Sequence, residues 1–217
     1  EAGKKPYLPF YSYDAEEVPV KIGVSSILEK DGEEPPVLRP AGARPKFSGA
    51  RLGTLIHLFM QHLDFSARTA AEAEAQMEEM CRRRLISPEE CRVLKRQSGL
   101  IAKFLVSDMA YRIRRSPRVL REVPFSLGVP AYETGLFESG ETVVVQGIID
   151  LLFREGEDYI LIDYKSNMVN EENLGILAEK YKTQLHLYEK AVEQITGRSV
   201  REKYLYFLRG EAFLRLF

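Results

Sequence analysis

The run that most constrains this chain is Gln146 to Lys165, QGIIDLLFREGEDYILIDYK. Two apolar, β-branched segments flank the polar break Glu155-Gly156-Glu157-Asp158, a pattern that predicts a β-hairpin. With the turn centred on Gly156-Glu157, Glu155 faces Asp158, Phe153 faces Ile160 and Asp150 faces Asp163. Side chains alternate with period two, so Lys165 shares a face with Asp163. The hairpin thus opposes two carboxylates and sets an ammonium one step along. Directly opposed side chains have Cβ atoms ~4.5–5.5 Å apart. At an effective dielectric of ~20, the repulsion at that range is roughly 3 kcal/mol, and something must offset it. A hard divalent cation is one answer: Mg²⁺ takes carboxylate oxygens, waters and phosphate oxygens, and it lowers the pKa of the water it binds. Two solvent-facing acids on a half-exposed sheet, or a pair sharing one proton, are the other answers; the shared proton leaves Lys165 unexplained.

A chain of 217 residues allows one large or two small domains with a real core. The apolar fraction of 45% and charged fraction of 29% are ordinary for a soluble globular protein. No apolar run approaches the ~18 residues of a membrane span and no secretory signal opens the chain. A cytoplasmic location without membrane contact is therefore expected. The first residue is Glu1 rather than Met, which suggests a piece of something longer. A net charge of −1 argues against a bulk basic coat for nucleic acid. Basic residues do cluster, at Arg82-Arg83-Arg84 and at Arg112, Arg114, Arg115, Arg118 and Arg121. Such clusters are more commonly solvated helix faces than phosphate tracks. The cysteines, Cys81 and Cys91, have neither CxxC nor zinc-ligand spacing, and two thiols cannot hold a four-cysteine iron–sulfur cluster.

Taken in order, residues 1–48 are expected to be an extended lead-in and Pro-rich linker, with a short strand edge and a helix capped by Ser25 or Ser26 near residues 21–30. Residues 50–63 form an amphipathic helix with Leu52, Leu55, Ile56, Phe59, Met60 and Leu63 on one stripe. His57 sits at that stripe's flank, one turn after Gly53, whose missing side chain leaves room for an approach to the imidazole. Taken alone, such a His is more commonly a hydrogen-bonded packing residue than a ligand. Helices follow to about residue 115, with Ser87 and Ser107 as caps and a break near Ser98-Gly99. A strand over 119–129 carries Glu122 and then Pro124, a sign of an edge or bulge. After the hairpin comes a long helix over 174–196, stopped by Gly197, and then two strands over 200–208 and 212–217. On that helix Tyr181, Gln184 and Tyr188 share one side, beside the apolar stripe of Leu177, Leu185, Ala191, Val192 and Ile195. The order predicts an α+β fold with a mixed sheet: a helical part over 49–116 and a catalytic core over 117–217.

Four of these stretches together, Gly53-Thr54-Leu55-Ile56-His57, Gly147-Ile148-Ile149-Asp150, Asp163-Tyr164-Lys165 and Gln184-Leu185-His186-Leu187-Tyr188, resemble the RecB-type branch of the PD-(D/E)xK nucleases. Within it they are most similar to the C-terminal nuclease domains of AddA-type helicase–nuclease subunits. The likeness covers roughly residues 20–217. It implies a restriction-endonuclease-like core and a Mg²⁺-dependent (or Mn²⁺-dependent) exodeoxyribonuclease acting on single-stranded DNA during double-strand break repair by homologous recombination. His57, Asp150, Asp163 and the Tyr164 carbonyl are the implied metal ligands, and Lys165 the implied catalytic lysine. Glu122 is an acid near the site, or else a salt-bridge partner of a nearby arginine. Gln184 and Tyr188 are implied to line the DNA path and steady the site. An AddB-type second subunit is the implied partner in the longer protein. No GxxxxGK[ST] occurs here, so no P-loop ATP site is expected. The alternative is a non-catalytic DNA- or subunit-binding module of the same fold.

Overall fold

The computed structural model describes residues 18–29, 49–170, 172–210 and 212–216. In chain order these form β1 (Lys21–Gly23), α1 (Val24–Glu29), α2 (Gly49–His62), α3 (Ala70–Arg82), α4 (Pro88–Lys95), α5 (Ser98–Leu105), α6 (Asp108–Arg115), β2 (Val119–Pro130), β3 (Thr142–Glu155), β4 (Asp158–Lys165), α7 (Leu174–Thr196), β5 (Val200–Phe207) and β6 (Ala212–Leu216). The hairpin register is the expected one, with Glu155 opposite Asp158 and Phe153 opposite Ile160. Gly156 takes the left-handed conformation the turn needs, at φ +66°.

The sheet is mixed, in the order β1-β3-β4-β5-β6, with β2 paired to β3. β2 runs antiparallel along almost the whole of one side of β3, from Val119–Phe153 to Pro130–Thr142. The other side of β3 is shared: β1 pairs there with residues 144–146, and β4 begins at Leu151. Between them, on that side, Gly147-Ile148-Ile149-Asp150 has no strand beside it among the described residues, and Ile148 is 50% exposed. β4 and β5 are parallel, joined by the α7 crossover.

Helices cover both faces. α2 to α6 bury Phe59, Leu63, Phe104 and Ile113 against Phe153, Ile160 and Ile162. α7, with α1, buries Leu185, Leu187 and Val192 against Leu152, Leu161 and Leu205. Strand alternation does not run unbroken along β3. Val143, Val145 and Ile149 pack on the α7 side, whereas Leu151 and Phe153, of the same parity, pack on the opposite side. β2 slips at the matching place: Val123, Phe125 and Leu127 border the α7 side, but Arg121 reaches the helical layer, its Nη2 donating to the Leu63 carbonyl at 2.9 Å. The slip falls at Glu122, whose φ of +49° is left-handed, and at Asp150 opposite it.

Several expectations need correction. The strand edge and helix expected near residues 21–30 form, but they belong to the folded body rather than to a lead-in: β1 joins the sheet and α1 packs on α7. Ser25 and Ser26 lie inside α1 rather than capping it. The helical break falls at Arg96-Gln97, and Ser98 already begins α5. Ile195 is 59% exposed and does not extend the buried stripe of α7. Residues 1–17 and 30–48 lie outside the described residues. The caps at Ser87 and Ser107 form, and Gly197 ends α7 at φ +66°.

Arg82, Arg83 and Arg84 are exposed, as are Arg115 and Arg118, but Arg112, Arg114 and Arg121 of the second cluster are part-buried scaffold. Arg112 clamps both Glu155 oxygens at 2.8 and 3.0 Å and reaches Glu202 at 2.8 Å. Arg114 donates to the carbonyls of Phe65 and Leu105. Arg112 thereby ties α6 to the ends of β3 and β5 through charge-assisted, part-buried bonds. Replacing Arg112 with Ala should lower unfolding stability by about 2 kcal/mol, measured as the urea midpoint at unchanged slope.

Candidate active site

The acids meet where the alternation slips. The recorded β3–β4 pairing ends at Leu151 and Ile162, and one step beyond it Asp150 and Asp163 face each other. There the Asp150 carboxylate replaces a main-chain acceptor: its Oδ2 takes the Tyr164 N–H at 2.7 Å. On the other side of Asp150, in the β2 register, stands Glu122. Three carboxylates therefore lie in a row across three adjacent strands. From the helical layer, His57 brings Nδ1 to 3.8 Å from Asp150 Oδ2, with its ring edge-on to Tyr164 at 5.9 Å.

Asp163 and Lys165 lie beneath, 2% and 9% exposed. Lys165 Nζ is 2.5 Å from Asp163 Oδ2. The approach lies outside hydrogen-bonding angles, so that buried oxygen has an ion pair but no hydrogen-bond donor. Lys165 instead donates to Gln184 Oε1 at 2.8 Å, and Gln184 Nε2 donates to the Tyr188 hydroxyl at 2.7 Å. The Tyr188 ring meets Phe125 edge-on at 5.5 Å. Gln184 and Tyr188 are thus buried supports of the lysine. His186 points outward to Glu189, as its helical position predicts.

Gly53 brings α2 close, in a different way from the one its spacing suggested. A Cβ there would stand 2.6 Å from Ser166 Cβ and 2.7 Å from its Oγ. The space beside Gly53 is therefore filled by the residue after Lys165, and this contact fixes the distance between His57's helix and β4. Glu122 forms no salt bridge to Arg118 or Arg121. Arg121 is spent on the Leu63 carbonyl and on the Phe65 ring, 4.7 Å away. A non-glycine residue held at positive φ is strained by about 1–2 kcal/mol, and here the strained residue is a half-buried acid whose charge is felt at Asp150.

Comparison with known proteins now bears on this geometry. Residues 36–214 match the PD-(D/E)XK nuclease superfamily. The chain belongs to that superfamily. Its relatives include proteins named as the A subunit of an ATP-dependent helicase/nuclease. The one from Clostridium botulinum (strain 657 / Type Ba4) is 33% identical over 227 residues, covering 95% of this chain and 17% of that protein. Those from Acetivibrio thermocellus and Clostridium acetobutylicum are 36% and 35% identical, over 72% and 76% of this chain and 12% and 14% of theirs. The chain spans less than a fifth of the length of these relatives.

Nucleases of this superfamily generally use divalent metals such as Mg²⁺. Among the described residues, no three His, Cys, Asp or Glu side chains already form a cage for an ion. The chemistry of the gathered groups nevertheless fits one. Burial above all, then Asp163 and also Glu122, pushes the Asp150 carboxyl well above the usual carboxylate range. Burial also raises Glu122. Burial foremost, aided by Lys165, lowers the His57 imidazole, against the pull of Asp163 and the Tyr164 main chain. The site holds three carboxylates against one ammonium, a neutral imidazole, and a buried carboxylate oxygen without a donor. Hard oxygen ligands with spare negative charge are what a divalent cation takes.

What the sequence did not reveal is the support around Lys165. The Tyr181 ring stands against it, with its hydroxyl donating to Asn167, and the only signal for Tyr181 is its helical spacing from Gln184 and Tyr188. The Gly53 contact gives a direct test. Gly53→Ala should cost about 1–3 kcal/mol of stability by overpacking, read from urea unfolding. Adding Ser166→Gly, which removes both clashing atoms, should restore most of it.

Proposed function

We propose that this chain is the nuclease domain of an ATP-dependent helicase–nuclease, cutting phosphodiester bonds of single-stranded DNA as a Mg²⁺- or Mn²⁺-dependent exonuclease. The observation that carries this reading is the buried Lys165–Asp163 pair set beside Asp150 and His57. His57, Asp150, Asp163 and the Tyr164 carbonyl would hold the ion. When bound, it neutralises the acids and makes its water a nucleophile near neutral pH.

The protein's own groups supply the rest. Side-chain exposure falls from 31% at His57 and 14% at Asp150 to 11% at Lys165 and 3% at Asp163. Substrate therefore approaches from the His57–Asp150 side, next to the strand-free stretch at Ile148. Lys165, held by Gln184, presents a fixed ammonium to the charge that develops on the non-bridging phosphate oxygens and orients the attacking water. A charge already aimed in a water-poor site needs no reorganisation as the reaction proceeds. Gln184 and Tyr188 steady that lysine, and any contact they make with DNA is reached through it. Glu122 adds negative charge behind Asp150.

The relatives' name, the A subunit of an ATP-dependent helicase/nuclease, supports a nucleic-acid substrate and a second subunit; that the substrate is DNA, the second subunit of AddB type, and the setting recombination repair in the cytoplasm, is part of the proposal. No helix among the described residues is long and apolar enough to cross a membrane. A non-catalytic module of this fold would have no need of a buried acid pair and lysine, and this chain keeps Asp150, Asp163 and Lys165.

Linear single-stranded DNA with Mg²⁺ or Mn²⁺ tests the proposal. Lys165→Ala should slow cleavage about 10²–10³-fold, and Asp163→Ala should abolish it. Undiminished cleavage by the Asp163→Ala protein overturns the assignment.

A second expectation concerns pH. Asp150, raised in the native state, contributes stability that is present below the ordinary carboxylate pKa and lost as pH rises through its raised value. His57, lowered, contributes stability that is present above its ordinary 6.5 and lost as pH falls toward its native value. A cation binds the deprotonated form of both groups. The rise in melting temperature on adding Mn²⁺ should therefore be larger at a pH of about 8 than at about 5.5, and it should vanish in Asp150→Asn.

A further inference from the structure

Lys165 has a third support, which no hydrogen bond reveals. Its Nζ lies 4.1 Å from the centroid of the Tyr181 ring. The ring is buried, at 4% exposure, and cannot swing freely. Its hydroxyl donates to Asn167 Oδ1 at 2.8 Å, and Asn167 lies two residues beyond Lys165. The aromatic face is thus pinned to the same stretch of chain as the lysine it covers. A second cation, Lys180 Nζ, stands at 5.9 Å from that ring, at the limit of a useful contact.

We propose that Tyr181 is a positioning residue for Lys165, holding the ammonium by the face of its ring so that the lysine stays aimed when Asp163 turns to a metal ion. This rests on the nuclease reading above. An ammonium has three donors. Gln184 takes one, and among the described residues Asp163 is the carboxylate in contact with it. A carboxylate that ligates a cation is a poorer partner for a neighbouring ammonium. Once Asp163 is so engaged, Gln184 and the ring are the supports that remain. An aromatic face attracts a cation without requiring a directed hydrogen bond. It therefore restrains Nζ while leaving an N–H free for a phosphate oxygen or the attacking water. A carboxylate or amide in the place of Tyr181 would consume that donor.

The experiment compares Tyr181→Phe, which keeps the ring and loses the hydroxyl, with Tyr181→Leu, which loses the ring, in the 217-residue chain. Tyr181→Met replaces the Leu variant if that one does not fold. The first readout needs no catalysis. In lysine-labelled protein, the Lys165 ε-methylene protons, assigned by their loss in Lys165→Arg, should resonate upfield of the other lysines through the ring current. The shift should persist in Tyr181→Phe and disappear in Tyr181→Leu. The second readout is kinetic. With Mn²⁺ and single-stranded DNA, Tyr181→Leu should lower kcat about tenfold at unchanged KM, Tyr181→Phe should stay within about twofold, and Tyr181→Leu should add nothing in a Lys165→Ala background. Unshifted Lys165 protons in the unaltered chain, equal losses in the Phe and Leu variants, or an additive loss in the Lys165→Ala background would each overturn the proposal. If the unaltered chain cuts no DNA with either metal, the nuclease reading fails, and the proton shifts alone decide whether Tyr181 holds the lysine.

Discussion

The mutual repulsion of Asp150 and Asp163 is the constraint around which the rest of this structure is arranged. Both acids sit between two cores, and neither has a cationic partner strong enough for the pair. One oxygen of Asp150 is taken up by the Tyr164 N–H, and Asp163 is matched only by Lys165. Neighbouring interactions do not cancel the cost. Burial and Asp163 together still leave the Asp150 carboxyl well above its ordinary range. On the proposed reading, a divalent cation supplies the positive charge that the chain itself does not.

Bringing groups from both sides of a sheet to one point is a geometric problem, because regular alternation sends neighbouring side chains to opposite faces. The slip at Glu122 and Asp150 solves it. Asp150 stands at the change of phase, so it meets His57 from the helical layer and lies opposite Asp163 on the α7 side. The strain at Glu122 is local, while the β2–β3 register on either side of it is unchanged. The strand-free edge of residues 147–150 follows from the same arrangement. β1 and β4 share one side of β3 without meeting among the described residues, and Ile148 stands exposed between them.

Much of this was legible in the residues. The hairpin, its register, the α7 boundaries, the caps at Ser87 and Ser107 and the Gly197 stop all follow from short-range rules, since turn chemistry and periodicity act over a few residues. The Asp150–Asp163 opposition was legible for the same reason. The slip was not, because a left-handed Glu in a strand breaks the very alternation from which faces are inferred. Nor was the role of Gly53: a missing side chain shows that something comes close, and only the tertiary contact shows that it is Ser166. The second arginine cluster misled through composition alone. Arg112, Arg114 and Arg121 bond to carboxylates and carbonyls 9 to 90 residues away, and no local pattern encodes those partners.

The geometry of Lys165 and Asp163 shows how the site could change state without moving the backbone. At 2.5 Å the two charges attract, yet the carboxylate oxygen facing the ammonium is not at a hydrogen-bonding angle. A pair optimised for stability would align, since most of the gain from a buried ion pair comes from directed, charge-assisted bonds. Here the directed bond goes to Gln184, which is neutral and anchored to Tyr188 on α7. The lysine is therefore positioned by the helix and only neutralised by the acid. Those two jobs are separable, and separating them frees Asp163 to take another cation while the ammonium keeps its place.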